Sequence, residues 1–556
     1  MARVGQRVRD SITAFASVGR NANLRWLQLA WAASIVGHYA FLIAVSVYAY
    51  GVGGTRAVGI LVLARLIPAA FAAPFAGMLG DRYPRERVLL FTNAARIVLV
   101  GGAAIAVLAD MSPWLVYVLS ITATIAYTPF RPSQAALTPT LARTPEELTA
   151  ANAAASGIES VAFFAGPALA GALLVAASAG TVFLITAALI LVSSVFIVLI
   201  RVDEGEQPHR ELAASTIATE RLAGFTTLTQ HPSLRVMAGL LTAQTMMFGA
   251  LQVFLVVIAL DLLDLGDGGV GYLGAAMGVG AFLGAFGALS LTGVRRLSPA
   301  FLIGLAVSAI PLAAIGLWST TATALLALGV LGVGNSFADV AGLTLLQRAV
   351  PDDVLARVFG VLQMLFLGFQ GIGAALAPAL IAWLGIDGAL IFTGVLIPVL
   401  VLGSARTVAR IDAHADVPDA DELRVLVAVP IFAPLPGGSL EHLAARLVPL
   451  RVEPGTVVVR ERDEGDRFYL IAEGTLDVSQ DGAKVTELHA GDYFGEIALL
   501  RDVPRTATVT ARTNAVLYAL DRGDFLAAVT GHPQSAEAAE TVMSSRLAGP
   551  AGTGYR

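Results

Sequence analysis

Four ionisable residues stand inside otherwise apolar stretches: His38, Arg65, Glu159 and Asp339. Such groups are costly away from water and are candidates for function by default. A carboxylate in apolar surroundings can exchange a proton near neutral pH, so Glu159 and Asp339 are candidate proton carriers. An imidazole titrates in that range without help, which makes His38 a third. The guanidinium of Arg65 could hold an anionic group or pair with an acid. Each of the four could also be a structural partner at a helix interface. A different kind of stretch lies near the end of the chain, FGEIALLRDVPRTATV at 494–509. It is polar and turn-containing, unlike most of the sequence, and suits a small-molecule pocket.

The elements that must carry these residues follow from composition. The 556 residues are 56% hydrophobic and 14% charged, with mean hydropathy +0.74, where soluble domains carry about 25% charged residues. The charge is uneven. Residues 421–556 hold 32 Asp, Glu, Lys or Arg, and residues 1–420 hold 45. Only the last quarter therefore has a soluble composition, and the rest has lipid as its solvent. There is no cysteine, which excludes disulfides and thiolate metal sites, and no metal or enzymatic site is expected. The net charge of −5 points to no partner, and neither a nucleic acid nor a second copy is expected. Lys484 is the only lysine, which suggests a bacterial genome of high GC content. No cleavable signal peptide is visible.

A membrane span needs about 20 apolar residues. Twelve runs qualify: 25–50, 56–79, 88–109, 113–132, 150–177, 181–200, 235–260, 269–292, 299–318, 322–346, 355–383 and 387–405. Arginines concentrate before the first run and in alternate loops (Arg82, Arg85, Arg87; Arg143; Arg201, Arg210, Arg221; Arg295, Arg296; Arg348; Arg406, Arg410), with Arg56 the clear exception. Short cytoplasmic loops are enriched in Lys and Arg, so both termini are expected in the cytoplasm. LTPTLARTPEEL at 137–148 and LTLLQRAVPDDV at 343–354 repeat a Leu-Thr, Pro and two-acid spacing six spans apart. A proline followed by acids makes a plain helix start, but the matching topological position predicts two six-helix halves.

GMLGDRYPRER at 77–87 resembles the loop signature of the major facilitator superfamily, through Gly77, Gly80, Asp81, Arg82 and Arg87; Pro84 stands where that family has Gly. The resemblance implies a gating cluster, with Asp81 accepting from backbone N–H groups near Asp352–Val354. RNANLRWLQLAWAASIVGHYAFLIAV at 20–45, ARLIP at 64–68 and LTAANAAASGIESVAFFAGPALAGALL at 148–174 resemble the enterobactin-exporter-like branch, where Asp is frequent at the position of His38. GPALAG at 166–171 is similar to the Gly-Pro motif of antiporters. Gly166, Pro167 and Gly171 are expected to thin the helix and pack it on its counterpart in the other half. The basic motif usual in the fourth span of proton-coupled exporters is missing. No G-x-x-x-x-G-K-[ST] loop is present, so an ATP-driven pump is not expected.

Strand-like runs follow at 457–460, 468–471, 475–478, 507–511 and 515–520, then helices at about 522–529 and 533–547; the pattern reads as a jelly-roll barrel with flanking helices. Within it the stretch at 494–509 resembles the phosphate-binding cassette of cyclic-nucleotide-binding domains. The resemblance implies contacts from Gly495, Glu496, Ile497, Ala498, Arg505, Thr506 and Ala507. Glu496 would take the ribose 2′-hydroxyl and Arg505 the cyclic phosphate, with Phe494 in the core. The ligand is cAMP or cGMP, with cAMP favoured although Thr506 matches cGMP-preferring members. The expected organisation is an all-α membrane bundle of 12 transmembrane helices over 1–410, a linker over 411–427, an α+β domain over 428–548 and a tail over 549–556. The whole reads as a small-molecule exporter of the bacterial inner membrane, working as a monomer and regulated by cyclic nucleotide. A non-transporting nucleotide receptor, a lipid flippase and a nucleotide-gated channel are the alternatives.

Overall fold

In lipid no water is available to the backbone, so each apolar run must satisfy its own N–H and C=O groups, and helices do so. A computed structural model describes residues 19–201, 232–291, 296–350, 352–414, 425–435, 437–444, 446–530 and 533–547. The chain divides into two compact units, Met1–Asp412 and Ala413–Arg556.

The first unit is helical. Its helices are α1 (Ala22–Arg82), α2 (Arg85–Leu108), α3 (Pro113–Tyr127), α4 (Phe130–Leu141), α5 (Pro145–Ala176) and α6 (Ala179–Val198). Then come α7 (Pro232–Val257), which runs into a π-helical turn, α8 (Gly266–Ala288), α9 (Ser298–Leu317), α10 (Thr321–Ala349) and α11 (Asp352–His414). Among the described residues, ten helical segments are long and apolar enough to cross a membrane. Twelve were expected; α1 takes in the first two runs and α11 the last two. Unbroken, the 61 residues of α1 would reach about 90 Å, three times the hydrocarbon core. The chain breaks instead at Gly53–Gly54, where Gly54 has φ 63° and ψ −155°, a conformation open essentially to glycine. Gly385, at φ 71° and ψ 172°, breaks α11.

Hydrogen bonds identify the two ends of the bundle. At one end Asn21 donates to Leu141 O and to Glu147, Asn23 to Arg201 O, and Arg85 to Ala136 O. Here α5 starts on a reciprocal cap. Thr144 Oγ1 accepts from Glu147 N at 3.2 Å, and the Glu147 carboxylate accepts from Arg143 N at 3.0 Å, which gives the second acid after Pro145 a helix-start role. At the opposite end the Tyr50 hydroxyl donates to Asp261, tying α1 to the turn after α7.

Two seams join the halves. In one, a Cβ on Gly271 would sit 2.3 Å from Gly171 Cα and 2.5 Å from Pro167 O, and one on Gly278 would sit 2.6 Å from Phe163 O. In the other, a Cβ on Gly59 would lie 2.6 Å from Ala374 O. Gly171 thus packs on α8, the six-span relative of the second run, and not on the relative of its own helix as the sequence suggested. Gly166 meets Tyr39 and Val36 O of α1, in its own half. The second arm of α1 packs on α11. Both seams are tight toward the Tyr50–Asp261 end. Toward the Asn21 end, added Cβ atoms on Gly157, Gly360 and Gly368 would meet nothing within 4 Å.

The second unit contains α12 (Gly437–Ala444), strands β1 (Val448–Val452), β2 (Val457–Val459), β3 (Arg467–Glu473), β4 (Thr475–Gln480), β5 (Ala483–His489) and β6 (Tyr493–Phe494), α13 (Glu496–Arg501), β7 (Thr508–Ala511), β8 (Ala515–Asp521), α14 (Arg522–Thr530) and α15 (Pro533–Leu547). The strands form two antiparallel four-stranded sheets, ordered β1-β8-β3-β6 and β2-β7-β4-β5. Alternation places Tyr469 and Ile471 of β3 in a core with Leu476, Val478 and Val509 of the other sheet. Phe468 and Leu470 face the opposite way, into a core with Phe432 and Phe525.

Overpacking a close helix crossing costs about 1–3 kcal/mol. Gly271→Leu is therefore expected to lower the thermal midpoint of the purified protein. Gly101→Leu, at a site with no neighbouring atom within 4 Å, should leave it nearly unchanged.

Candidate functional site

The polar stretch at 494–509 folds into the wall of a recess in the second unit. β6 ends at Phe494, the chain turns at Gly495 with φ 98°, and α13 begins at Glu496. The chain then returns through Asp502, also left-handed at φ 53°, to β7. All seven residues singled out in the sequence line this recess: Gly495, Glu496, Ile497, Ala498, Arg505, Thr506 and Ala507. Val459, Phe494 and Val509 add an apolar wall. The recess is small and partly open to solvent. Phe494 belongs to the inter-sheet core, stacked on Tyr469 at 5.0 Å, and also lines the recess.

Arg505 is the cation of the site. It is only 4% exposed and its guanidinium is held on all sides. Nη2 donates to Arg467 O at 2.7 Å and to Asp466 Oδ1 at 3.3 Å, and Nη1 donates to Gly495 O at 3.3 Å. The group lies 5.8 Å from the ring centre of Tyr469. Burial, with Asp466 beside it, pushes the Tyr469 phenol up from its ordinary value, so the ring stays neutral beneath the cation. Asp466 is well exposed, its side chain at 72%. An incoming anion would compete with it for Nη2 while the backbone carbonyls keep the guanidinium aimed. Glu496 is 1% exposed.

In the first unit, His38 stacks on Tyr127 at 4.2 Å, and the Arg96 guanidinium lies 4.4 Å from the centre of the same ring. Arg96 also donates to Ser34 Oγ at 2.8 Å. Arg65 is buried. Glu159 does not stand alone, as its sequence context suggested: it pairs with Arg131 at 3.0 Å. In the other half Asp339 is exposed and accepts from Asn335 Nδ2 at 2.9 Å and Gln244 Nε2 at 3.2 Å. Of the loop signature, Arg82 ends α1 and Arg87 lies in the first turn of α2, both exposed. The side chains of Gly77, Gly80 and Asp81, and of Asp352–Val354 opposite, lie outside the described residues. The sequence reading missed Arg96, although an arginine inside the run 88–109 is the same signal that marked Arg65. It also missed Tyr127, Gln244 and Asn335, which carry no signal until helices far apart in sequence are brought together.

A family model of the Major Facilitator Superfamily matches residues 28–366. The chain belongs to the Major Facilitator Superfamily. This facilitator is a multi-pass membrane protein, and it carries a cyclic nucleotide-binding domain, whose family model matches residues 449–532. A solved POT family transporter in complex with a thioalcohol-conjugated peptide shares the bundle fold with TM-score 0.58 and 14% identity, over 70% of this chain and 96% of that one. The C-terminal domain is similar to the cAMP-dependent protein kinase regulatory subunit of Yarrowia lipolytica, 44% identical over 102 residues, which is 18% of this chain and 27% of that protein. It is also similar to a cyclic nucleotide-gated potassium channel of Rhizobium etli, 35% identical over 127 residues, 23% of this chain and 36% of the channel. The facilitator thus spans between about a quarter and a third of the length of these relatives.

At Gly495 a Cβ would lie 2.6 Å from Arg505 Nη1 and 2.9 Å from Arg467 O, at a φ of 98°. Gly495→Ala is expected to destabilise the C-terminal domain by about 1–3 kcal/mol, read as a lower midpoint in urea unfolding.

Proposed function

We propose that this facilitator moves a small molecule across the membrane under the control of a cyclic nucleotide held by its C-terminal domain. The observation that carries the reading is the recess around Arg505. A buried, pre-aimed guanidinium, a glycine that admits close backbone approach and a buried carboxylate line one pocket, in the same chain as a transporter bundle. Phosphate oxygens suit the guanidinium, and a ribose hydroxyl suits Glu496 as acceptor. The similarity to a regulatory subunit named for cAMP supports cAMP over cGMP.

In this reading α1 and α11 each cross twice, making twelve crossings in two six-helix halves, and the two sheets make a jelly-roll. The arginine-rich end, with both termini, faces the cytoplasm of a bacterial inner membrane. Rocking of the halves about the seams at Gly171–Gly271 and Gly59–Ala374 gives alternating access. The turn at Gly77–Arg87 closes the cytoplasmic side in the opposite state. Export, the enterobactin-exporter-like branch, a monomeric working unit and the absence of an enzymatic step complete the proposal. Asp339, exposed in the interior and cradled by two amides, suits a proton carrier better than Glu159, which Arg131 occupies. Nucleotide binding would act on α11 through the segment that follows it, a coupling typically worth about 1–3 kcal/mol.

Calorimetry of cAMP and cGMP with the full-length protein tests this. Binding of cAMP is expected, and Arg505→Ala should weaken it by about 10- to 150-fold, the loss of hydrogen bonds to a charged group. Heat signals absent for both nucleotides, or unaltered by the substitution, would remove the regulatory half of the reading.

A further inference from the structure

Two buried arginines of the first half of the bundle are paired with no acid among the described residues. Arg65, on the second arm of α1, is 2% exposed, and its Nε and Nη1 are buried with no hydrogen-bond partner among the described residues. It forms no ion pair among the described residues. Arg96, on α2, is 3% exposed, and its contacts are the Ser34 hydroxyl and the face of Tyr127, both neutral. Both arginines act electrostatically on His38, so the two charges share one neighbourhood. The carboxylate of that neighbourhood, Glu159, is taken by Arg131. The interior acid of the other half is not the missing counter-ion: Asp339 accepts from Gln244 and Asn335 and pairs with no arginine among the described residues. The Tyr127 hydroxyl is likewise buried without a hydrogen-bond partner among the described residues.

A buried charge without a partner is among the most costly features a protein can keep, and in membrane helices such residues mark substrate paths. The cluster also borders open space. His38 and Tyr127 are only partly buried, and Arg131 is well exposed. We propose that Arg65 and Arg96, with Tyr127 and His38, form a docking site for an anionic group, a carboxylate or a phosphate, on the transported molecule. The planar guanidinium matches either group in a two-pronged arrangement, and the Tyr127 hydroxyl supplies a further donor. This inference rests on the transporter reading and names its substrate class as anionic.

The test is thermal unfolding of the full-length protein in detergent, at matched ionic strength. Wild type, Arg65→Gln and Arg96→Gln are each compared alone and with benzoate, phenyl phosphate, benzylamine or benzyl alcohol in millimolar amounts. At least one of the two aryl anions is expected to raise the wild-type midpoint by several degrees, while the amine and the alcohol do not. Benzoate or phenyl phosphate giving the larger shift identifies carboxylate or phosphate as the group. The shift should be lost in both variants. Arg65→Gln without ligand should be at least as stable as wild type, because it removes an unpaired buried charge. A shift with benzylamine alone, no shift with either anion, an anion shift retained in both variants, or a clearly less stable Arg65→Gln would each overturn the inference. Micromolar cAMP added to the same samples reports separately on the Arg505 pocket. A cAMP shift without an anion shift sinks only the substrate class, and the reverse sinks only nucleotide control.

Discussion

Helices in lipid gain nothing from the hydrophobic effect when they associate, so backbone must come close to backbone. The crossing of Gly171 and Gly271, where an added Cβ would stand 2.3 Å from the opposite Cα, meets that demand, and much else depends on it. With the Gly59–Ala374 contact and the Tyr50–Asp261 hydrogen bond, it ties the two halves of the bundle together. The same seam runs along α11, whose Ala374 and Pro378 meet Gly59 and whose last turn ends at His414.

Two arginines illustrate how differently a protein can bury the same charge. Arg505 and Arg65 are 4% and 2% exposed. Arg505 has two backbone carbonyls and a carboxylate around it. Hydrogen bonds to a charged group are worth about 1.5–3 kcal/mol each, enough to hold the guanidinium in place before any ligand arrives. Arg65 has no such partner among the described residues. The first arrangement suits a sensor that must respond without reorganising. The second suits a site whose occupant comes and goes, because a transporter that satisfied its own binding groups would have nothing left for the substrate.

The nucleotide pocket was legible in the sequence because its residues are nearly contiguous: from Gly495 to Ala507 the chain makes one turn, one short helix and one return. The strands read in advance correspond to β2, β3, β4, β7 and β8, all rich in branched or aromatic residues. β1, β5 and the two-residue β6 went unread, and all three are edges of their sheets. Pro449 interrupts the pattern of β1, and Lys484 and Glu487 give β5 a polar one, which is how edge strands avoid pairing with other chains. The interior of the bundle was half legible. A charge in an apolar run announces itself, as His38, Arg65, Glu159 and Asp339 did, but its partner does not. Arg131 meets Glu159 from another helix, and Gln244 meets Asp339 across 95 residues. The seam pairing was misread for the same reason. Gly-Pro in α5 signals a close crossing, and nothing local says with which helix.

The central claim is that nucleotide at the Arg505 pocket shifts the balance between the open and closed states of the bundle. The chain contains no cysteine, so Gly157→Cys places a single thiol at an exposed position of α5, where an added Cβ meets no atom of the described residues within 4 Å. The measurement is its rate of labelling by a water-soluble maleimide in vesicles, with and without saturating cAMP. A coupling of the usual size predicts a rate change of about fivefold or more that disappears when Arg505→Ala is added. An identical rate with nucleotide demonstrably bound would contradict the account and leave the two units as independent proteins on one chain.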